Sequence, residues 1–235
     1  MAGRSQTGFV AYLYLMSGPG GLGEKRRDDF LYLAYAADGK YRRSLARLPG
    51  FESFTMEVHL PGRPEPLRSQ GRPPFSRLPL SWVHGDRFYY GSSYYFEVAV
   101  YDLDGEMTQL VGREVAREPV TSAMISDYKK QFSTTSESAP RMVPGVDDLP
   151  YPDSLPPYRR LWVDREGWLW IQRYDAPSDT VVTWSVFNPN GRWETDVVVP
   201  RTWQIQDIGM DYVLALIRDD LDIERIGRFA LSRRE

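Results

Sequence analysis

The chain contains no cysteine among its 235 residues. That absence excludes disulfide frameworks, thiolate zinc sites and cysteine nucleophiles together. Histidine is almost as scarce: only His59 and His84 occur, with no HExxH spacing and no GxSxG elbow. Histidine-based zinc hydrolysis and a Ser-His-Asp triad therefore lack their residues. No charge of one sign dominates either, since 29 Lys and Arg face 32 Asp and Glu for a net charge of −3. This balance supplies no broad cationic field for a nucleic-acid backbone and no polybasic anchor for anionic lipid. No apolar run is long enough to span a bilayer. Neither nucleic acid nor membrane insertion is expected. The first thirty residues show no basic-then-apolar leader.

Ring side chains and turn formers are plentiful, with 15 Tyr, 10 Phe, 7 Trp, 19 Gly and 18 Pro. Aromatic residues fit half-buried pleated surfaces, whereas Gly and Pro punctuate turns. Many short strands follow from that mixture. The clearest strand runs from Tyr94 to Tyr101, enters the turn Asp102-Leu103-Asp104-Gly105, and resumes at Glu106 to Val111. Asp-Gly between two β-prone runs is a strong local hairpin signal, because the turn needs the positive φ that Gly tolerates.

The unit recurs. Phe30 to Ala36 leads through Asp38-Gly39 into Lys40 to Leu48, and Val181 to Phe187 leads through Asn188-Pro189-Asn190-Gly191 into Arg192 to Val199. A further copy starts at Ile223 to Ala230. Before these hairpins lie other short pairs: Leu80 to Val83 with Arg87 to Tyr90, Arg160 to Val163 with Trp168 to Arg173, and Trp203 to Ile208 with Tyr212 to Ile217. Two hairpins in series make a four-stranded meander. The last two copies are about 42 residues apart, near the 40–50 residues of a propeller blade. Segments 61–79 and 119–157 read as inserted loops within a single domain, 1–235. The second contains one helix, near 121–132, where Ile125, Tyr128 and Phe132 recur at helical spacing behind the caps Thr121 and Ser122. The expected fold is all-β, a β-propeller of four-stranded antiparallel blades with about 3.5–4 blades present. The first blade is expected to lack its innermost strand and the last its outermost.

From about residue 73 onward the chain resembles the bacterial six-bladed β-propeller proteins related to NHL and TolB-like propellers. The resemblance is carried by FEVAVYDLDGEMTQLV at 96–111, the inserted helix at 121–132, and LPYPDSLPPYRRLWVDREGWLWIQRY at 149–174. WSVFNPNGRW at 184–193 and IGMDYVLALIRDDLDIERIGRFAL at 208–231 complete it. It implies a ring of six blades around a central channel, N-terminal truncation of this chain, and export or a periplasmic location for the full-length protein. It brings no catalytic residues to transfer.

Candidate chemistry is sparse. Gly18-Pro19-Gly20-Gly21-Leu22-Gly23 matches GxGxxG, but the charged Glu24 to Asp29 and the β-like run after it leave no helix to receive a pyrophosphate. Ser126-Asp127-Tyr128-Lys129 matches SxxK without its companion elements. Asp102, Asp104 and Glu106 suit a hairpin turn better than a calcium loop, which needs a distal bidentate glutamate. Tyr158-Arg159-Arg160 enters an inner strand, either to meet a ligand at the channel mouth or to bridge neighbouring blades. Trp162, Trp168 and Trp170 alternate across one hairpin and read as inter-blade packing. The acidic cluster Asp219, Asp220, Asp222 and Glu224 is the candidate cation site. The functional expectation is a non-enzymatic binding or interaction module for a protein or small-molecule ligand, without a cofactor. The alternative is a gluconolactonase-like hydrolase using calcium or another divalent cation held by channel carboxylates.

Overall fold

The computed structural model describes residues 3–4, 8–18, 20–132, 141–143, 145–176, 179–218 and 223–233. Within them the chain is all-β, with four antiparallel sheets and a single α-helix, α1 (Ser122–Phe132). The first sheet orders β1 (Gly3–Arg4), β2 (Gly8–Leu15), β3 (Lys25–Ala36) and β4 (Tyr41–His59), and β5 (Leu67–Gly71) and β10 (Arg141–Val143) also pair with β4. The second is the meander β6 (Leu80–His84), β7 (Arg87–Gly91), β8 (Glu97–Asp102) and β9 (Met107–Gly112). The third is β11 (Tyr158–Val163), β12 (Leu169–Arg173), β13 (Val181–Phe187) and β14 (Trp193–Pro200). The fourth has three described strands, β15 (Gln204–Ile208), β16 (Tyr212–Arg218) and β17 (Glu224–Ala230).

The hairpins follow from local chemistry. Gly105 holds φ +87°, and the Asp102 carboxylate accepts the N–H groups of Asp104 and Glu106 at 2.9 Å each. Asn188 repeats the device with Asn190 (3.0 Å) and Arg192 (3.1 Å), and Asp164 repeats it with Glu166 (3.0 Å) and Trp168 (2.9 Å). Such side-chain acceptors satisfy turn amides that no strand reaches. Asp102 is thus committed to its turn, and Asp104 pairs with Arg43 at 2.9 Å.

Alternating side chains then stack the sheets in series. On β7, Phe88 and Tyr90 join Val10, Phe30, Tyr32 and Leu45 of the first sheet, while Tyr89 between them faces the third sheet. On β12, Leu169 and Ile171 pack with Val98 and Val100 of the second sheet, while Trp170 packs with Ile205, Ile208 and Val213 of the fourth. The second and third sheets are therefore buried on both faces, which the period-2 geometry of a strand permits without any helix layer. Each fully buried side chain of this size contributes about 1.5–3 kcal/mol. Trp162 and Trp168 pack against the same core as Trp170, as expected of inter-sheet residues. The opening strands of successive sheets are neighbours: β1 runs beside β6, and β6 beside β11.

Several boundaries differ from the sequence expectation. The strand expected to start at Tyr94 starts at Glu97. The first sheet does carry a short opening strand, because Gly3 and Arg4 pair with Val10 and Phe9. Strand β4 continues past Leu48 to His59 and recruits β5 from the 61–79 segment and β10 from the 119–157 segment. Helix α1 forms where expected, with Thr121 Oγ1 accepting the Met124 N–H at 3.2 Å.

Candidate functional site

One end of the sheets carries the connections β2–β3 and β7–β8, the extension of β4, and the segment before β11. The chain leaves β7 at Gly91, where a Cβ would collide with the Tyr158 hydroxyl. Two residues on, Ser93 is fully buried and adopts φ +49°, a left-handed conformation that costs a non-glycine residue about 1–2 kcal/mol. Three bonds hold it there. Its N–H donates to Tyr158 Oη at 3.0 Å, its hydroxyl donates to the Leu78 carbonyl at 3.0 Å, and the Leu78 N–H donates back to Oγ at 2.8 Å. The turn at Ser93 throws Tyr94 and Tyr95 outward, 43% and 55% exposed, before Phe96 returns to the core. Backbone strain of this kind collects at binding and catalytic sites because the surroundings must over-determine it.

The two tyrosines meet edge to face, with ring centroids 4.8 Å apart, along a cleft of about 350 Å³. Arginines stand over the aromatic rings. Arg77 lies 4.7 Å from the Tyr94 centroid, and Arg117 lies 5.4 Å from both Tyr94 and Tyr95. Arg113 covers Phe96 at 5.7 Å and Trp193 at 4.8 Å, and pairs with Asp196 at 2.9 Å. Burial raises the Asp196 pKa, but bonds from Ser185, Trp193 and Arg113 outweigh it and hold this carboxyl below its ordinary range. Arg77 is fixed by Glu52, which accepts its N–H at 2.8 Å and its Nη1 at 2.9 Å. Arg117 has no carboxylate or other hydrogen-bond acceptor among the described residues. Glu97, Glu114, Leu110, Val115 and Pro157 are among the other residues of its walls. The arrangement offers flat rings for stacking and one uncommitted cation, which suits cation–π and stacking recognition.

A second cleft of about 250 Å³ adjoins the first, sharing Arg77. Lys25, Arg26, Arg27, Glu52 and four prolines form the rest of its lining. Arg27 spans from the first sheet to the tyrosine loop, donating to the carbonyls of Gly50 and Ser92 at 2.8 Å each.

The structure places the three residues singled out from the sequence apart. Tyr158 is buried beneath the tyrosine loop, also donating to the Glu97 carbonyl at 2.8 Å, and burial raises its pKa far above the ordinary tyrosine range. Arg159 pairs with the buried Asp175 at 3.1 Å, and Arg201 reaches the same carboxylate at 2.6 Å. Arg160 is exposed, makes no hydrogen bond or ion pair among the described residues, and lies in the field of Asp175. A bulge between Tyr158 and Arg160 contributes to this divergence. Asp219, Asp220 and Asp222 lie outside the described residues, and Glu224 pairs with Arg218 at 2.7 Å. Among the described residues of the glycine run between β2 and β3 there is no helix, and Lys129 of the SxxK match pairs with Asp147 at 2.8 Å. Sequence reasoning missed Arg77, Tyr94, Tyr95, Arg113 and Arg117. The available signal was Gly91-Ser92-Ser93 ahead of the tyrosines, three turn-forming residues that argue against starting a strand at Tyr94.

No protein-family model matches the chain, and no curated protein is similar to it.

Proposed function

We propose that the chain is a non-enzymatic binding module of the six-bladed β-propeller type, related to the NHL and TolB-like propellers, that takes its ligand in the Tyr94–Tyr95 cleft. Serial stacking of meanders, with their opening strands side by side, supports the propeller reading. The observation that carries the binding reading is the exposed tyrosine pair under Arg77 and Arg117, held out by a strained, fully buried Ser93. Tyr and Arg are, with Trp, the residues enriched at binding hot spots: Tyr supplies large, rigid contact area at small entropic cost, and Arg a planar cation that stacks on rings. The alternative, a divalent-metal hydrolase, has no observation in its favour among the described residues, where no three His, Asp or Glu side chains converge.

Saturation-transfer NMR with phenyl phosphate, phenol and methyl glucoside tests this reading. At least one ring-bearing probe should receive saturation from the wild-type protein and lose it in Tyr95→Ala and Arg117→Ala. Equal signals from wild type and both variants would sink the proposal.

A further inference from the structure

We infer that the second cleft, between Lys25, Arg27 and Arg77, is a subsite for a tetrahedral oxyanion, a phosphate or sulfate ester, on the same ligand whose ring lies against Tyr94 and Tyr95. This deepens the binding reading above and rests on it.

The charge in the cleft runs against that of the chain. The protein carries a net charge of −3, yet four of the nine residues lining this cleft are Lys or Arg and one is acidic. That single acid, Glu52, has both oxygens engaged by Arg77. Of the remaining cations, Arg26 lies in the field of Asp28 and donates to the Gly18 carbonyl, whereas Arg27 and Lys25 form no ion pair among the described residues. Arg27 spends its bonds on two neutral carbonyls. Lys25 is exposed and has no partner among the described residues. Arg77 Nε is buried with no acceptor, as are Arg26 Nε and Nη2. Buried donors left without acceptors are costly, about 1–3 kcal/mol each. An oxyanion with several acceptor oxygens relieves that cost for any donor it reaches, and tetrahedral anions are the usual partners of clustered guanidinium and ammonium groups.

Shape fits the same occupant. The volume of about 250 Å³ holds roughly eight waters, so a phosphate- or sulfate-sized group enters with part of its hydration. The walls are Pro73, Pro74, Pro150 and Pro152, which have fixed φ and no N–H of their own. Recognition is thereby left to the cationic side chains on a stiff frame. Because Arg77 lines both clefts, one molecule can place an anion on one side of it and a ring on the other.

The test is amide chemical-shift titration at constant ionic strength, using inorganic phosphate, inorganic sulfate and phenyl phosphate, with chloride as the blank. Phosphate or sulfate should give saturable shifts around Lys25 and Arg77. Affinity should fall about tenfold in Lys25→Gln and further in Lys25→Glu. Lys25 is exposed and unpaired, so both variants should keep the native spectrum; Arg77→Gln should act in the same direction. The tighter of the two inorganic anions names the ester. Phenyl phosphate should bind more tightly than inorganic phosphate and lose that gain in Tyr95→Ala. Shifts that fail to saturate, that chloride reproduces, or that persist unchanged in Lys25→Glu overturn the subsite. Loss of anion binding in Lys25→Glu, with phenyl phosphate indifferent to Tyr95→Ala, leaves the subsite standing and defeats the ring-cleft reading.

Discussion

Tyr158 supports the tyrosine loop from below through Ser93: its hydroxyl accepts the Ser93 N–H at 3.0 Å and donates to the Glu97 carbonyl at 2.8 Å. These bonds join residues 65 and 61 positions apart and tie the opening strand of the third sheet to the loop that starts β8. The inter-sheet contact and the cleft geometry are thereby one arrangement. A change at Tyr158 should register in both.

Tyr158→Phe keeps the ring and removes the oxygen. The buried Ser93 N–H is left without its acceptor, which should cost about 1–3 kcal/mol. Urea denaturation should show a lower midpoint with an unchanged slope. Ring-bearing probes should bind more weakly, although Tyr158 itself does not line the cleft.

Gly91→Ala places a methyl group against the Tyr158 hydroxyl. Overpacking of this kind typically costs about 1–3 kcal/mol. In the double variant with Tyr158→Phe the two costs should sum to less than additive, because both act on one contact. Thermal or urea unfolding of the four proteins measures this directly, and strict additivity contradicts the contact.

Asp164 should be the most costly acid to remove. Its carboxylate is wholly buried and accepts from Trp170 Nε1 at 2.9 Å, from the turn amides of Glu166 and Trp168, and from Arg233 at 2.6 Å. Asp164→Ala strands Arg233 and the indole donor together, and breaking such a buried pair costs about 3–5 kcal/mol. Calorimetry should show a large loss of stability. Arg233→Ala should be milder, since Asp164 keeps three neutral donors.

Stability should fall at acid pH partly through Asp28. Burial raises its pKa, but bonds from Ser17 Oγ (2.5 Å), Ser17 N–H (3.1 Å) and Tyr14 (2.8 Å), with the field of Arg26, outweigh burial and hold it below the usual carboxylate range. A depressed folded value contributes stability that is complete above the unfolded value near 3.9 and is lost as pH falls through the folded value. Asp28→Asn should be less stable at neutral pH and lose less between pH 4 and pH 2, as followed by urea unfolding at each pH. An equally steep acid limb contradicts the assignment. At the alkaline end the signs reverse. Burial raises the pKa of Tyr32 and Tyr90 in the fold, so their contribution is complete below about pH 10 and declines above it.

What was legible in the sequence was what is encoded locally. Asp102 with Gly105, and Asn188 with Gly191, announce hairpins because the turn residues and the acceptor side chain lie within a few positions. Trp162 and Trp170 declare their packing role through alternation. The start of β8 was not legible, because Tyr94 to Phe96 has β-prone composition and the left-handed Ser93 that breaks the strand is fixed by Leu78 and the distant Tyr158. β10 was hidden for the same reason, since its pairing with β4 spans a long stretch of chain; β5 pairs with β4 across a short connection, but its mostly polar residues Leu67–Gly71 carry no β-prone run. Of the residues first suspected of binding, Tyr158 proves to support the cleft from beneath. The lining itself gathers Lys25, Arg77, Tyr95 and Arg117 from separate segments, and no spacing rule brings these together.

The central claim is that the tyrosine cleft and its basic neighbour receive one ligand, and a crystal structure of the protein grown with phenyl phosphate tests it most directly. The account predicts density for the phenyl ring stacked on Tyr94 or Tyr95 and for the phosphate among Lys25, Arg27 and Arg77. A ring bound elsewhere, or a tyrosine loop folded over an empty cleft at saturating probe, contradicts it.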